Sequence, residues 1–297
     1  MNILVTGSSG FIGRNLVTGL SDSDLIIGLD RKSSKFSKEI IQYTGNTEKW
    51  ESFSQIKERV DVVLHFGSAS SIVAFKNNPG ELFSSEIQSF FNALEFAIKN
   101  DSKIFIYPSS ASIYSTDKAS GNKVVEPLNV YGLLKVTEEN ICRFYRDKIK
   151  TIGLRIFMVY GHGEETKGDR ASPVSLFIQD ITKRKRPLIF GDGTQTRDPI
   201  YIGDLVKILE RIIEYQDTLH DAVYDICTGQ QVSFNEIIEI IKEVSEIDDI
   251  YPEYIPKPKS YIEATGGDPS FAKRMLKRDF TSIIDGVRQT IEHETYK

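Results

Sequence analysis

The sequence predicts an α/β fold: a doubly wound parallel sheet with a smaller C-terminal lobe. Three observations carry this expectation. Apolar runs alternate with amphipathic stretches from the N-terminus to Tyr160. The runs are continuously apolar rather than alternating, as in parallel strands covered on both faces. After Tyr160 the chain turns polar and irregular, in "GHGEETKGDRASP", before helical spacing resumes. A chain of 297 residues is near the upper size for one core, so a large unit plus a smaller one is expected.

In order, Ile3 to Val5 reads as a strand that runs into a glycine-rich turn. Phe11, Ile12, Leu16 and Leu20 then recur at helical spacing. "LIIGLD" (Leu25 to Asp30) is a second strand, ending in an acid, and "VDVVLHF" (Val60 to Phe66) a third. Glu81 to Asn100 is an amphipathic helix, and Lys103 to Ser110 an apolar strand. Glu126 to Lys148 contains a helix, and Thr151 to Gly161 returns to strand. Later come a helix from about Val174, strand–turn–strand over Leu188 to Asp204, and helices over 203–214 and 233–246. "IYPEYIPKPKS" reads as a proline-broken connection. The expected division is 1–160, with segments near 200–226 returning to it, and 161–297.

Composition narrows the function. The net charge is −5 with no basic excess, which argues against nucleic acid as a partner. The basic run "KRKRP" at Lys183 to Pro187 reads as a solvated helix end. The two cysteines, Cys142 and Cys227, have no zinc spacing, and Cys142 reads as a buried structural thiol. No apolar run approaches about 18 residues, and "MNILVTG" enters a strand directly. No membrane span and a cytoplasmic location are expected.

"VTGSSGFIGRNL" sets Gly7, Gly10 and Gly13 between a strand and a helix that opens with Phe11 and Ile12. In that context Gly7 permits the tight turn, Gly10 lets backbone approach a diphosphate, and Gly13 lets helix pack on sheet. The helix N-terminus favours the anion. Asp30 ends the next strand and can accept both ribose hydroxyls. Its charge would repel a 2′-phosphate, so NAD is expected over NADP, although Arg31 stands beside it.

"NVYGLLKVTEEN" sets Tyr131 and Lys135 one helical turn apart. An ammonium near a phenol favours the phenolate, and a nicotinamide cation would add to this. Lowering a tyrosine pKa by about three units needs about 4 kcal/mol. Tyr131 could then act as a general base while NAD takes a hydride, the chemistry of alcohol oxidation.

The glycine loop, "SSASIY" (Ser109 to Tyr114) and Tyr131-x-x-x-Lys135 resemble the extended short-chain dehydrogenase/reductase family, whose sheet is of the Rossmann type. "LRIFMVYG" (Leu154 to Gly161) and "FGDGTQTRDPIYIGDL" (Phe190 to Leu205) resemble its NAD-dependent nucleotide-sugar epimerase/dehydratase branch. The resemblance spans nearly the whole chain. It implies an NAD-binding domain over 1–160 and a mainly substrate-binding lobe over 161–297. It implies catalytic roles for Ser110, Tyr131 and Lys135, with Lys135 also on the nicotinamide ribose. Phe66, Gly67 and Ser68 would run under the cofactor, with Asn46 and Thr47 near the adenine. Arg197 would bind the substrate diphosphate, and Ser112 and Met158 would line the substrate site. A homodimer through the helices at 81–100 and 130–147 is also implied, with Phe83, Phe90, Phe91 and Phe96 as its apolar residues unless they face the sheet.

Departures from the family pattern choose between reactions. Where similar 4,6-dehydratases carry an Asp-Glu pair after the serine or threonine, this chain has Ala111 and Ser112. Related decarboxylases place glutamate, and 4-keto-6-deoxy epimerase–reductases cysteine, at the position of Ser112. The small, neutral set that remains implies 4-epimerisation of a nucleotide-diphosphate sugar, of the UDP-glucose/UDP-galactose type. Met158 and Thr265 stand where the family often has asparagine and arginine on the diphosphate, and Lys167 or Arg170 could compensate. The alternatives are an NAD(P)H-dependent reductase of a keto sugar or other carbonyl, and a non-catalytic dinucleotide-sensing protein.

Overall fold

The computed structural model describes residues 1–116, 123–258 and 261–295. The chain divides into two compact units, Met1–Arg155 with Leu209–Tyr224, and Ile156–Ile208 with Asp225–Lys297.

The first unit holds most of a seven-stranded sheet. In chain order its strands are β1 (Asn2–Thr6), β2 (Leu25–Asp30), β3 (Ile41–Thr44), β4 (Val62–His65) and β5 (Ile104–Ser110). A hairpin of β6 (Tyr114–Thr116) and β7 (Lys123–Val125) precedes β8 (Lys150–Ile156). The sheet order is β13-β8-β5-β4-β1-β2-β3, where β13 is Ala222–Ile226. β1 pairs in parallel with β2 and β4, β2 with β3, and β4 with β5. The direction of the sequence reverses at β1, where β2 lies on one side and β4 on the other. That switch point opens a crevice at the strands' C-terminal ends, the place where such sheets bind ligands. This is the Rossmann-type sheet expected from the continuous apolar runs, and Ile3, Leu4, Val5, Val62, Val63 and Leu64 are fully buried.

Helices α1 (Phe11–Gly19), α2 (Trp50–Ser54), α3 (Pro79–Lys99) and α4 (Val130–Tyr145) belong to this unit. Phe90 and Phe96 of α3 pack with Phe53, Phe105 and Tyr107 in the core. Those two phenylalanines therefore cover the unit's own interior and are not free for a second copy, because their helical spacing follows the sheet-facing stripe. Asn129 caps α4, accepting from the Gly132 N–H at 2.8 Å. The buried stripe of α4 includes Tyr131, Leu134, Lys135, Glu138, Glu139 and Cys142. It has helical period but carries charge, which a purely structural helix would place outward.

The second unit is built from short pairs. β9 (Met158–Tyr160) pairs in parallel with β12 (Pro199–Tyr201). β10 (Leu188–Phe190) pairs with β15 (Glu253–Ile255), and β11 (Thr196–Arg197) with β14 (Val232–Ser233). Its helices are α5 (Pro173–Thr182), α6 (Ile202–Glu214, which continues into the first unit), α7 (Phe234–Ser245), α8 (Ser270–Leu276) and α9 (Ile283–Thr295). Two sequence expectations change here. The strand expected over 151–161 is two strands, because Phe157 donates its N–H to Ile226 at 3.1 Å and β9 then pairs with β12. The "IYPEYIPKPKS" connection holds β15, since Glu253 to Ile255 precede the next proline and find β10 as partner; its residues 259–260 lie outside the described residues.

Buried acids fix the second unit's turns. Asp198 accepts from the Thr228 N–H at 2.8 Å, the Thr228 hydroxyl at 2.7 Å and the Gly229 N–H at 2.9 Å. Asp204 accepts from Arg278 at 2.6 Å and from the Thr281 N–H at 2.7 Å. Both cysteines are buried and neither forms a disulfide among the described residues, and burial pushes the Cys142 thiol up to about 12. No helix among the described residues is long and apolar enough to cross a membrane.

Candidate active site

The dinucleotide loop follows β1. Gly7 sits at φ +69°, a backbone position that L side chains rarely adopt, and donates its N–H to Leu29 at 2.8 Å. A Cβ on Gly13 would lie 2.0 Å from the Gly7 carbonyl oxygen, so loop and helix touch through backbone there. Gly10 differs: its Cβ would meet only that same oxygen, at 3.2 Å. The space beyond Gly10 is open, and as the N-cap of α1 it brings no side chain to compete for the first-turn N–H groups. Phe11 is buried and Ile12 half-buried on that turn. A cradle that a Cβ would enter, at a helix N-terminus, fits a diphosphate.

Asp30 accepts from the Ser9 N–H and the Lys32 N–H, both at 3.0 Å, one on each oxygen. These bonds tie the carboxylate to the loop and leave each oxygen able to accept a ribose hydroxyl. Asp30→Ala is expected to weaken NAD binding about tenfold and to narrow discrimination against NADP. Titrating both nucleotides by fluorescence quenching checks this; unchanged NAD affinity counts against the assignment. Arg31 is exposed. Around the neighbouring loop, Ser89 donates to the Thr47 hydroxyl at 2.7 Å, and Asn92 donates to the Thr47 carbonyl at 3.0 Å. Asn46 accepts from the Glu48 N–H at 3.2 Å, so its amide is committed to its own turn.

Phe66, Gly67 and Ser68 leave the end of β4. Gly67 donates to the Thr6 hydroxyl at 3.1 Å, which holds this segment against the glycine loop. Ser68 leads directly to the group of Ser110, Tyr131 and Lys135, because the Lys135 ammonium donates to its hydroxyl at 3.2 Å.

Ser110 and Tyr131 come together because α4 approaches the segment after β5 closely. A Cβ on Gly132 would lie 2.3 Å from the Ser112 carbonyl oxygen. The Ser110 hydroxyl lies beside the Tyr131 phenol and accepts from the Ser112 N–H at 3.1 Å. The Tyr131 ring packs against Phe75, 6.1 Å between centroids, and Lys135 Nζ lies 5.8 Å from the Tyr131 ring centre. Burial raises the Tyr131 pKa, and the Lys135 ammonium and the Ser110 hydroxyl pull it down. In the protein alone burial wins, so the lysine by itself does not produce the activated phenol that the sequence argument expects.

The sequence reading also misses the acids behind this pair. Glu138 Oε2 lies 2.9 Å from Lys135 Nζ, and both side chains are 1% exposed. Glu139 accepts from Ser109 at 2.5 Å and from Arg155 through Nε at 3.0 Å and Nη2 at 2.8 Å. Arg155 also donates to the Tyr114 hydroxyl at 2.7 Å. The set is therefore not neutral, although Ala111 and Ser112 carry no acid. Helical i,i+3 spacing from Lys135 to Glu138 was the available signal. Glu139→Ala leaves Arg155 half-paired in a buried setting. An expected loss of about 3–5 kcal/mol follows, measured by denaturant unfolding; a loss below about 1 kcal/mol would remove this network from the stability account.

Arg197 and Met158 lie in the second unit. The Arg197 guanidinium is 5.3 Å from the Phe234 ring centre and 5.5 Å from that of Tyr261. It donates to the Thr196 carbonyl at 2.8 Å and makes no ion pair among the described residues. Half-buried Met158 donates its N–H to Asp198 at 3.2 Å. Lys167 pairs with buried Glu164 at 3.0 Å, so its charge is committed within its own unit.

The NAD dependent epimerase/dehydratase family profile matches residues 3–227, the stretch that contains the glycine loop, Asp30 and Tyr131-x-x-x-Lys135. The chain belongs to that family. It is thus an NAD-dependent enzyme of the epimerase group, and NAD is its cofactor. A protein of Methanocaldococcus jannaschii, provisionally named UDP-glucose 4-epimerase, is 30% identical over 81% of each chain. The UDP-glucose 4-epimerase of Thermotoga maritima, solved with UDP-glucose, superposes with a TM-score of 0.89 at 26% identity, covering 100% of both chains. A UDP-N-acetylglucosamine 4-epimerase from Methanobrevibacter ruminantium, solved with UDP-N-acetylmuramic acid, shares the fold at TM-score 0.89 and 22% identity, covering 99% of this chain and 98% of its own.

Proposed function

We propose that the enzyme is a 4-epimerase of a nucleotide-diphosphate sugar, of the UDP-glucose/UDP-galactose type. One observation carries the reading. The Tyr131 phenol lies beside Ser110 and near the Lys135 ammonium, and the adjoining Ala111 and Ser112 offer no acid to eliminate water.

When bound, NAD would supply a reversible acceptor for the hydride of the sugar carbon. Gly10 and the start of α1 hold its diphosphate, and Asp30 its ribose. Lys135 adds the second ribose contact, because Ser68 and Glu138 use two of its three N–H donors. Tyr131, as phenolate, takes the proton from the sugar hydroxyl, and Ser110 steadies that oxygen. With no acid at 111 or 112, the keto sugar keeps its C6 hydroxyl. Once the keto sugar has turned its other face to the hydride that NAD would return, Tyr131 gives the proton back to the sugar oxygen. Arg197, with no ion pair among the described residues and close to two aromatic rings, suits the substrate diphosphate, with Ser112 and Met158 as lining. The first unit is read as the cofactor domain and the second as the substrate domain. Exposed Leu133 and Phe144 on α4 suit a homodimer, which sedimentation at micromolar concentration checks.

The test is interconversion of UDP-hexose epimer pairs by the purified enzyme, followed by chromatography alongside nicotinamide absorbance. An epimerase converts sugar with no net absorbance change. Stoichiometric cofactor consumption would instead support a carbonyl reductase.

A further inference from the structure

The inward stripe of α4 carries two acids that the proposed reaction leaves unused, and one of them touches Lys135. Glu138 is 1% exposed, and only its Oε2 is engaged, by Lys135 at 2.9 Å. Its Oε1 is buried with no hydrogen-bond partner among the described residues. Such an oxygen is costly to bury. The same stripe buries an uncharged leucine at 134 and an uncharged cysteine at 142, so helix packing alone does not require an acid at 138.

We propose that Glu138 is a positioning residue: its carboxylate fixes the Lys135 ammonium and tempers the charge which that ammonium presents to the Tyr131 phenol. The inference rests on Tyr131 as the base. It stands on a buried contact between Glu138 and the lysine, one helical turn from the phenol.

The other groups around it are accounted for. Glu139, on the same helix, is paired with Arg155. His65 on β4 is kept neutral, its pKa driven down to about 3 by burial and by Lys135. Burial holds Tyr107 on β5 and Cys142 on α4 in their protonated forms. Glu86 on α3 accepts from the Ala69 N–H at 2.9 Å, and burial raises its pKa. Burial likewise raises the Glu138 pKa, against the pull of Lys135. Glu138 is the acid in contact with the lysine.

The sign follows. A carboxylate near a phenol favours its neutral form. Removing the negative charge lets the ammonium act undiminished, so the phenolate forms at lower pH and the base works at lower pH.

The test uses the NAD-loaded enzyme. The phenolate ultraviolet band is titrated with pH, and the Tyr131→Phe trace is subtracted to isolate that residue. In Glu138→Gln the midpoint is expected to fall on the order of one pH unit. The acid limb of kcat/KM should move with it for whichever sugar nucleotide is turned over. Glu138→Asp, which keeps the charge, should hold the midpoint near that of the parent. Should the glutamine variant not fold, Glu138→Met removes the charge at similar volume and carries the same expectation. An unmoved or raised midpoint in the uncharged variant overturns the proposal, as does an aspartate variant that shifts equally. Absence of any Tyr131 transition in the parent enzyme sinks the base assignment itself, and the inference with it; an unmoved transition sinks the inference alone.

Discussion

Replacing Tyr131 by phenylalanine is expected to lower turnover by ~10²–10⁴-fold, the usual worth of a positioned general base. The change removes one oxygen and little else. The ring keeps its contact with Phe75, and Leu134 beside it stays in the same small apolar cluster. The fold should therefore persist. NAD should stay bound, because the contacts expected to hold it, at Gly10 and Asp30, are untouched. What disappears is the acceptor for the sugar hydroxyl proton, and Ser110 cannot replace it, since a hydroxyl is a far weaker base than a phenolate. Turnover at saturating sugar nucleotide, with NAD released on denaturation as the binding control, checks this. Turnover within about tenfold of the parent would remove Tyr131 from the chemistry.

Two single-methyl additions in the glycine loop are expected to fail differently. In Gly13→Ala the new Cβ would sit 2.0 Å from the Gly7 carbonyl oxygen and 2.7 Å from its carbon. Backbone cannot yield as a flexible side chain can, so α1 must move off the sheet, and overpacking of this kind costs at least about 1–3 kcal/mol. Thermal unfolding should show it without cofactor. In Gly10→Ala the methyl meets only one protein atom, at 3.2 Å, and points where the diphosphate is expected. Unfolding without NAD should hardly change. NAD affinity should fall at least about tenfold, or about 1.4 kcal/mol. If both variants lose stability equally, the space beyond Gly10 is not the cofactor's.

Much of the first unit was legible because its signals are local. Continuous apolar runs mark buried parallel strands, and the loop between β1 and α1 needs glycine for reasons set by its own backbone. Asp30 and the Tyr131–Lys135 pair could be found by spacing alone. Contacts between distant segments were not legible. Phe157 breaks the strand expected over 151–161 because its N–H meets Ile226, some 70 residues on. β15 hid in a proline-rich stretch because its partner, β10, lies far upstream. The sequence does not show that the acids at 138 and 139 face inward, since charge on a helix usually points outward. Only the packing of α4 turns them inward. The effect of burial on Tyr131 was likewise invisible, because spacing reveals a nearby cation but not the loss of water around the phenol.

The order of strands also governs how the sheet can be completed. Its last member, β13, is synthesised after β9 to β12, yet takes the place beside β8 at the margin. Until Ala222 to Ile226 leave the ribosome, β8 presents an open row of amide and carbonyl groups, a template for pairing with any extended peptide. A fragment that stops at Arg155 keeps the cofactor loop and the tyrosine, but also that sticky margin. Ala222 to Ile226 thus cover a margin that such a fragment would leave open.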